Sequence, residues 1–249
     1  MRLAVSQRDF RAQAKGRLAF ALDYPSVEEA RAGALLVGPA VGCLKVGLEL
    51  FIRGGPEMVR LAASTGAEVF LDLKLHDIAE TVDRAVASAA SLGVQYLTVH
   101  ASGGPAMLER AARRTEAEGT GLRILAVTLL TSLDAGDLAQ IGIPSPPTEQ
   151  VLRLARLAQN SGVQGLVCSA QEVRAVREAV GPNLVLCTPG IRPVGAALGD
   201  QKRVATPSVA LEDGADLLVV GRPIRDAAEP LTVVTTLKDE LARVLEARS

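Results

Sequence analysis

The densest run of chemistry-bearing residues lies between Val69 and Thr81, which reads Val-Phe-Leu-Asp72-Leu-Lys74-Leu-His76-Asp77-Ile-Ala-Glu-Thr. Side chains alternate along an extended strand, so Asp72 and Lys74 share one face while Leu71, Leu73 and Leu75 share the other. Asp77, three residues beyond Lys74, falls where such a strand turns into a helix. Asp23 and Lys45 add a third acid and a second base. Acids alternating with bases favour the charged form of each partner, and they leave a region where a further anion is repelled. An ammonium held in a dry site can donate a proton to a developing carbanion, which is general-acid chemistry. The same residues also suit a plain salt-bridge network at the rim of a sheet. What favours an active site is that polar residues recur at the ends of other apolar runs: His100, Thr131-Ser132, Arg192 and Arg222.

Two of those ends carry arginine beside glycine and proline. Gly221-Arg222-Pro223 follows one apolar run and joins it to a helical stretch, where free backbone amides and the helix dipole favour an anion. Arg222 adds a guanidinium capable of a bidentate grip on phosphate. Arg192, in Thr188-Pro-Gly-Ile-Arg-Pro, closes from the other side with Gln201, which lies in the long Gly195–Arg203 stretch. His76 and His100 could form a metal pair, but no His-x3-His or cysteine spacing supports one, and neutral histidines are favoured. Cys168 has no activating partner in the sequence and reads as packing. There is no P-loop and no Gly-x-Gly-x-x-Gly after a strand, and Gly103-Gly104-Pro105 reads as a helix entry.

These residues are spaced by a repeating pattern. Short apolar runs occur at Leu18–Asp23, Gly42–Gly47, Glu68–Lys74, Gln95–His100, Arg123–Leu129, Gly165–Cys168, Asn183–Cys187 and Asp216–Gly221. Each is short and aliphatic, as a strand buried on both faces must be. Amphipathic stretches such as Ala79–Ser91 and Thr148–Asn160 lie between them. Helix starts are signalled by Ser26-Val-Glu-Glu29 and Ser169-Ala-Gln-Glu172, both capping-box patterns, and by Gly55-Pro56, Gly104-Pro105 and Arg222-Pro223. Eight strand–helix units in 249 residues predict an α/β fold, a (β/α)8 TIM barrel occupying residues 1–249 as a single domain. Residues 1–16 read as an N-terminal extension to it. A doubly wound open sheet is the rival, because periodicity does not reveal closure. In both architectures the strands' carboxyl ends carry the site.

Composition narrows the partners. Twenty-seven Lys and Arg balance 28 Asp and Glu for a net charge of −1, with no basic stripe, so neither nucleic acid nor an anionic membrane is an expected partner. Four Phe, two Tyr and no Trp make the expected core aliphatic and leave almost nothing for base stacking. Cys43, Cys168 and Cys187 stand far apart in apolar runs and read as buried thiols of a reducing compartment. Arg8-Asp9 interrupts the first residues before a signal-peptide core forms, and no apolar run approaches ~18 residues, so the expected location is the cytoplasm.

Taken together and in order, several segments resemble the signature of the orotidine 5′-phosphate decarboxylase family. They are Leu22-Asp23, Leu44-Lys45-Val-Gly, Phe70-Leu-Asp72-Leu-Lys74-Leu-His-Asp77-Ile-Ala-Glu-Thr81, Leu130-Thr131-Ser132, Thr188-Pro-Gly-Ile-Arg192-Pro, Gly199-Asp-Gln201-Lys-Arg-Val-Ala-Thr-Pro207 and Val220-Gly221-Arg222-Pro-Ile. The match runs from about residue 18 to residue 230. Leu75 and Ala79 stand where many members carry Phe and Pro, both outside the charged positions.

The resemblance implies a homodimeric barrel that converts orotidine monophosphate to uridine monophosphate, the last step of pyrimidine nucleotide synthesis, with no metal and no organic cofactor. It implies Lys74 as proton donor to pyrimidine C6 and Asp72 beside the departing carboxylate. Asp77 would be shared across the dimer interface and act in catalysis, and Asp23 and Lys45 would bind ribose hydroxyls and orient the charged lattice, with Lys45 counted among the catalytic residues. Thr131 would contact the pyrimidine, and Arg192, Gln201, Gly221 and Arg222 would hold the phosphate. Two other functions share parts of the pattern. One is a magnesium-dependent sugar-phosphate lyase or decarboxylase of a sibling barrel, against which the Thr-Pro-Gly-Ile-Arg-Pro and Asp-Gln-Lys-Arg stretches argue. The other is a non-catalytic protein that binds a nucleotide phosphate.

Overall fold

A computed structural model describes residues 7–193 and 205–249. Its strands are β1 (Leu18–Ala21), β2 (Cys43–Gly47), β3 (Glu68–Leu75), β4 (Tyr96–His100), β5 (Arg123–Val127), β6 (Gly165–Val167), β7 (Val185–Thr188) and β8 (Leu217–Val220). Every neighbouring pair is parallel, the order follows the sequence, and β8 pairs with β1. The sheet is a closed barrel, which removes the open-sheet alternative. Each expected apolar run supplies one strand.

The helices are α1 (Gln7–Gly16), α2 (Val27–Val37), α3 (Leu48–Ser64), α4 (Ala79–Ala90), α5 (Pro105–Glu118), α6 (Ala135–Gln140), α7 (Pro147–Asn160), α8 (Val173–Val180), α9 (Pro207–Glu212), α10 (Arg222–Arg225) and α11 (Pro230–Ala247). Local chemistry sets most of their starts. Ser26 Oγ accepts from the Glu29 amide at 3.2 Å and caps α2. Pro105 opens α5. Pro56 does not open a separate helix but begins the second segment of α3, after a kink at Gly55, whose φ of 56° lies in the left-handed region that glycine tolerates. The second capping-box pattern fails. Ser169 spends its hydroxyl on the buried Glu172 carboxylate, a tight turn closes through Glu172 N–H to Ser169 C=O at 3.1 Å, and α8 starts only at Val173.

The N-terminal extension is helical from residue 7. Ala14 and Phe10 of α1 are buried where that helix packs on α11, and Arg11 pairs with Asp239 at 2.8 Å.

Strand alternation sorts the core into two layers. Leu18, Phe20, Leu44, Val46, Leu97 and Val99 face outward to the helices, in one large cluster. Ala19, Cys43, Phe70, Tyr96, Cys187 and Leu217 face inward and fill the barrel. The expected aliphatic core holds for most of both layers, with Phe20 an aromatic exception in the outer one. Inside, Phe70 and Tyr96 meet edge to face, ring centroids 6.1 Å apart, because adjacent strands place them in register and the barrel axis has room for bulk. All three cysteines are free and buried, and burial pushes the Cys168 thiol up to about 12.

Candidate active site

The mouth of the barrel collects the strand-end residues. Ala21, Asp23, Lys45, Asp72, Lys74, Thr131, Arg192, Gly221 and Arg222 line one cavity of about 330 Å³, floored by Phe70, Val167 and Cys187. Nine of the residues singled out from sequence thus split cleanly: those from Asp23 to Arg222 named above meet there, and Asp77 does not. Gln201 lies outside the described residues.

The strand that carries Asp72 and Lys74 departs from regular alternation. Leu71 pairs with Leu97, but the next pairing joins Leu75 to Val99, so β3 spends four residues where β4 spends two. Lys74, within this bulge, has φ of 50°; among the described residues it is the non-glycine residue with positive φ. A left-handed conformation costs roughly 1–2 kcal/mol for a residue with a Cβ. The compensation is local. The Lys74 amide, turned out of the ladder, donates to Thr98 Oγ1 at 2.9 Å, and that hydroxyl donates to Asp72 Oδ1 at 2.8 Å. Thr98 is fully buried and was missed from sequence, where a threonine within an apolar run reads as strand filler.

Asp72 is the hub of the charged lattice. Lys74 Nζ lies 2.8 Å from both of its oxygens, and Lys45 Nζ lies 3.5 Å from Oδ2. Lys45 turns its other side to Asp23 Oδ1 at 3.2 Å. Burial alone raises the Asp72 carboxyl, but the Lys45 and Lys74 charges, with hydrogen bonds from Lys74 and Thr98, hold it below the usual carboxylate range. Burial likewise lowers the Lys45 ammonium, and the charges of Asp72 and Asp23 more than offset that, so it ends above its ordinary value. Asp72 and Lys45 therefore stay ionised across the neutral range. Carboxylates and ammoniums saturate one another, while Lys74 remains partly open to the cavity, its side chain 37% exposed.

Asp77 stands apart. It is exposed, and its Oδ1 accepts from the Ile78 amide at 2.6 Å. His76 and His100 do meet, ring centroids 5.4 Å apart. Burial, with His76 and Lys74 nearby, pushes His100 below its ordinary value, so that ring is neutral at pH 7.

The opposite wall is cationic. Arg192 is buried, donates to the Ile191 carbonyl at 3.1 Å and is anchored through its own amide to Ala205 C=O at 3.0 Å. The Ile191–Ala205 bridge adds a second contact between these two stretches of chain. Arg222 opens α10, the helix expected to follow the last strand, which is a single four-residue turn. What this wall offers an anion is therefore chiefly guanidinium side chains. Arg225, also missed from sequence, joins the lining, donates to Asp23 C=O and pairs with Asp226 Oδ2 at 3.0 Å. Its only signal was the adjacent Arg225-Asp226 pair, which looks like a surface ion pair.

Residues 16–237 match the family described as Orotidine 5′-phosphate decarboxylase / HUMPS family. A protein of Anaeromyxobacter sp. (strain K) named orotidine 5′-phosphate decarboxylase is 56% identical over 214 residues, covering 86% of this chain and 93% of its own. One of the same name from Halorhodospira halophila is 51% identical over 226 residues, covering 91% and 96%. The crystal structure of orotidine 5′-phosphate decarboxylase from Lactobacillus acidophilus superposes with a TM-score of 0.77 at 35% identity, over 90% of this chain and 98% of that one.

Proposed function

We propose a division of labour among the strand-end residues from the premise that the chain belongs to the orotidine 5′-phosphate decarboxylase / HUMPS family and is a carboxy-lyase that decarboxylates orotidine 5′-monophosphate. Heterolysis of the bond between C6 and the carboxylate releases carbon dioxide and leaves the electron pair on C6. No ring atom delocalises that pair well, so stabilisation has to come from the surroundings. Lys74 supplies it: its ammonium sits next to the developing carbanion and transfers one Nζ proton to C6, giving uridine 5′-monophosphate. The neutral amine then recovers a proton from water through its exposed side. Asp72 holds Lys74 in place and lies beside the carboxylate that departs. The observation that carries this reading is the clamp of Asp72 between Lys74 and Lys45 at the cavity floor.

The remaining roles follow from position. Lys45 and Asp23 take ribose hydroxyls, Thr131 the pyrimidine, and Arg192, Arg222, Gly221 and Gln201 the phosphate. Phosphate is far from C6, so its binding energy serves to assemble and dry the site. No metal or organic cofactor enters the scheme. The working unit is a homodimer with Asp77 reaching its neighbour's site. In support, Asp77 is exposed, and two large apolar side chains, Ile52 of α3 and Ile78 before α4, are 75% and 72% exposed. Three buried free thiols suit the cytoplasm. Among the described residues no helix is long and apolar enough to cross a membrane.

The test follows the ultraviolet change as orotidine monophosphate is consumed by wild type and Lys74→Ala. Rapid turnover in the wild type and a loss of many orders of magnitude in the variant are expected. Near-equal rates would remove Lys74 from the mechanism. A strict magnesium requirement after exhaustive chelation would instead support the sugar-phosphate lyase reading, and nucleotide binding without turnover the non-catalytic one.

A further inference from the structure

We propose that Thr98 is a positioning residue for the decarboxylation, one whose single hydroxyl sets both the backbone of Lys74 and the carboxylate of Asp72; this rests on the role given to Lys74 above. Three observations carry it. The two-residue excess of β3 over β4 takes the Lys74 amide out of the strand ladder, and Lys74 sits at φ 50°. A buried amide freed in this way needs another acceptor. Thr98 Oγ1 is that acceptor at 2.9 Å.

The same oxygen is 2.8 Å from Asp72 Oδ1. A hydroxyl has one proton and two lone pairs, whereas an amide only donates and a carboxylate only accepts. The direction of both bonds is therefore forced: amide to hydroxyl, hydroxyl to carboxylate. Asp72 Oδ1 is fixed by Thr98 and Lys74, and Oδ2 by Lys74 and Lys45. The hydroxyl thus couples the bend that aims the lysine to the carboxylate that holds its head. Thr98 is fully buried and does not line the cavity, so it does not touch substrate. Its neighbours Leu97 and Val99 pack outward in the apolar layer, so the fold alone does not require a polar residue at this inward position.

The experiment compares Thr98→Val, which keeps the shape and removes the hydroxyl, with Thr98→Ser, which keeps the hydroxyl. Losing a charge-assisted hydrogen bond and orphaning an amide predicts kcat roughly 10- to 100-fold lower in Thr98→Val, with KM within about threefold of wild type. Thr98→Ser is expected within about threefold of wild type in kcat. The acid limb of the kcat–pH profile should move to higher pH in Thr98→Val, because Asp72 loses a donor to its charged form, and should stay in place in Thr98→Ser. Wild-type kcat in Thr98→Val, an equal loss in both variants, or a raised KM with kcat unchanged would each overturn the proposal. If Thr98→Val does not fold, Thr98→Cys, similar in size with a weak donor, is read by the same criteria. Lys74→Ala run alongside separates the two failures. An active Lys74→Ala sinks the role of the lysine itself, whereas an inactive one beside a normal Thr98→Val sinks only the role of the threonine.

Discussion

The Arg225 guanidinium donates to the backbone carbonyl of Asp23, 202 positions earlier in the chain, and so ties the last strand–helix unit to the first at the mouth of the barrel. Asp23 lies just beyond β1, and its carboxylate is the outer partner of Lys45. A fixed carbonyl at Asp23 therefore fixes the start of the chain Asp23–Lys45–Asp72–Lys74. Arg225 is itself steadied by Asp226, with Nε 2.5 Å from Oδ1.

Arg225→Met keeps much of the aliphatic stem and removes the tie. One lost hydrogen bond of this kind is worth about 1.5–3 kcal/mol at most, so kcat/KM should fall roughly tenfold or somewhat more. The loss should appear mainly in KM, because Asp23 is assigned to the ribose and not to the reacting carbon. Unchanged steady-state constants would show that the barrel holds Asp23 without help.

Gly221 offers a separation of fold from ligand. A Cβ there would meet Ala21 Cβ at 3.6 Å and an Asp23 carboxylate oxygen at 3.7 Å, both ordinary contact distances. The fold thus has room for a methyl group, but that group would project into the cavity. Gly221→Ala should keep the wild-type Tm and weaken uridine monophosphate binding by about tenfold, the order expected for a misfit of one methyl group in a polar site. A lowered Tm with unchanged affinity would assign this glycine to folding.

Arg192 and Arg222 are predicted to recognise phosphate and not the nucleoside. Calorimetric titration with uridine monophosphate and with uridine distinguishes the two. Arg192→Ala and Arg222→Ala should each weaken the nucleotide by roughly 10- to 100-fold, the worth of a charge-assisted contact, and leave uridine where it was. Parallel losses for both ligands would mean that the arginines support the cavity as a whole.

The sequence disclosed the barrel because each strand is short, aliphatic and followed by helix-start chemistry, and all eight strands are parallel and buried on both faces. It disclosed Asp72, Lys74, Lys45 and Asp23 because charges are costly at the ends of apolar runs unless they are used. What escaped were relations between strands. The β3–β4 bulge depends on pairing register, which period-2 alternation within one strand does not contain. Thr98 matters only because that bulge frees an amide opposite it. Arg225 matters through a carbonyl in the first unit, and no local pattern reports a contact that closes a barrel. Ser169 shows the converse: a local motif was present, and a buried neighbouring carboxylate took its hydroxyl first.

Acid titration should report the Asp72 clamp. Its folded-state value is held below the unfolded value of about 3.9, so the stabilisation is complete above that pH and is lost as pH falls through the lower, folded value. Lys45 behaves oppositely: raised in the fold, it contributes fully below the unfolded lysine value of about 10.4 and loses that contribution as pH rises through the folded one. The Tm difference between wild type and Asp72→Asn should therefore be largest at neutral pH and shrink as pH falls below about 4. A difference independent of pH in that window would mean that the carboxylate's charge is not what stabilises the cluster.

Sharing of Asp77 between subunits can be tested by mixing. Asp77 is exposed, is not part of the cavity lining, and hydrogen-bonds to the next amide in its own chain. If it acts in the neighbouring site, a mixed dimer of Lys74→Ala and Asp77→Ala subunits contains one site with both defects and one with neither. Random pairing of equal amounts gives mixed dimers as about half of the population, each with one intact site, so activity should return to roughly a quarter of wild type per total site. Each parent alone should remain near its own low rate. Subunit exchange is verified separately by native mass spectrometry of the mixture. Mixed dimers seen without recovered activity would place Asp77 in the same subunit's site and remove the shared arrangement.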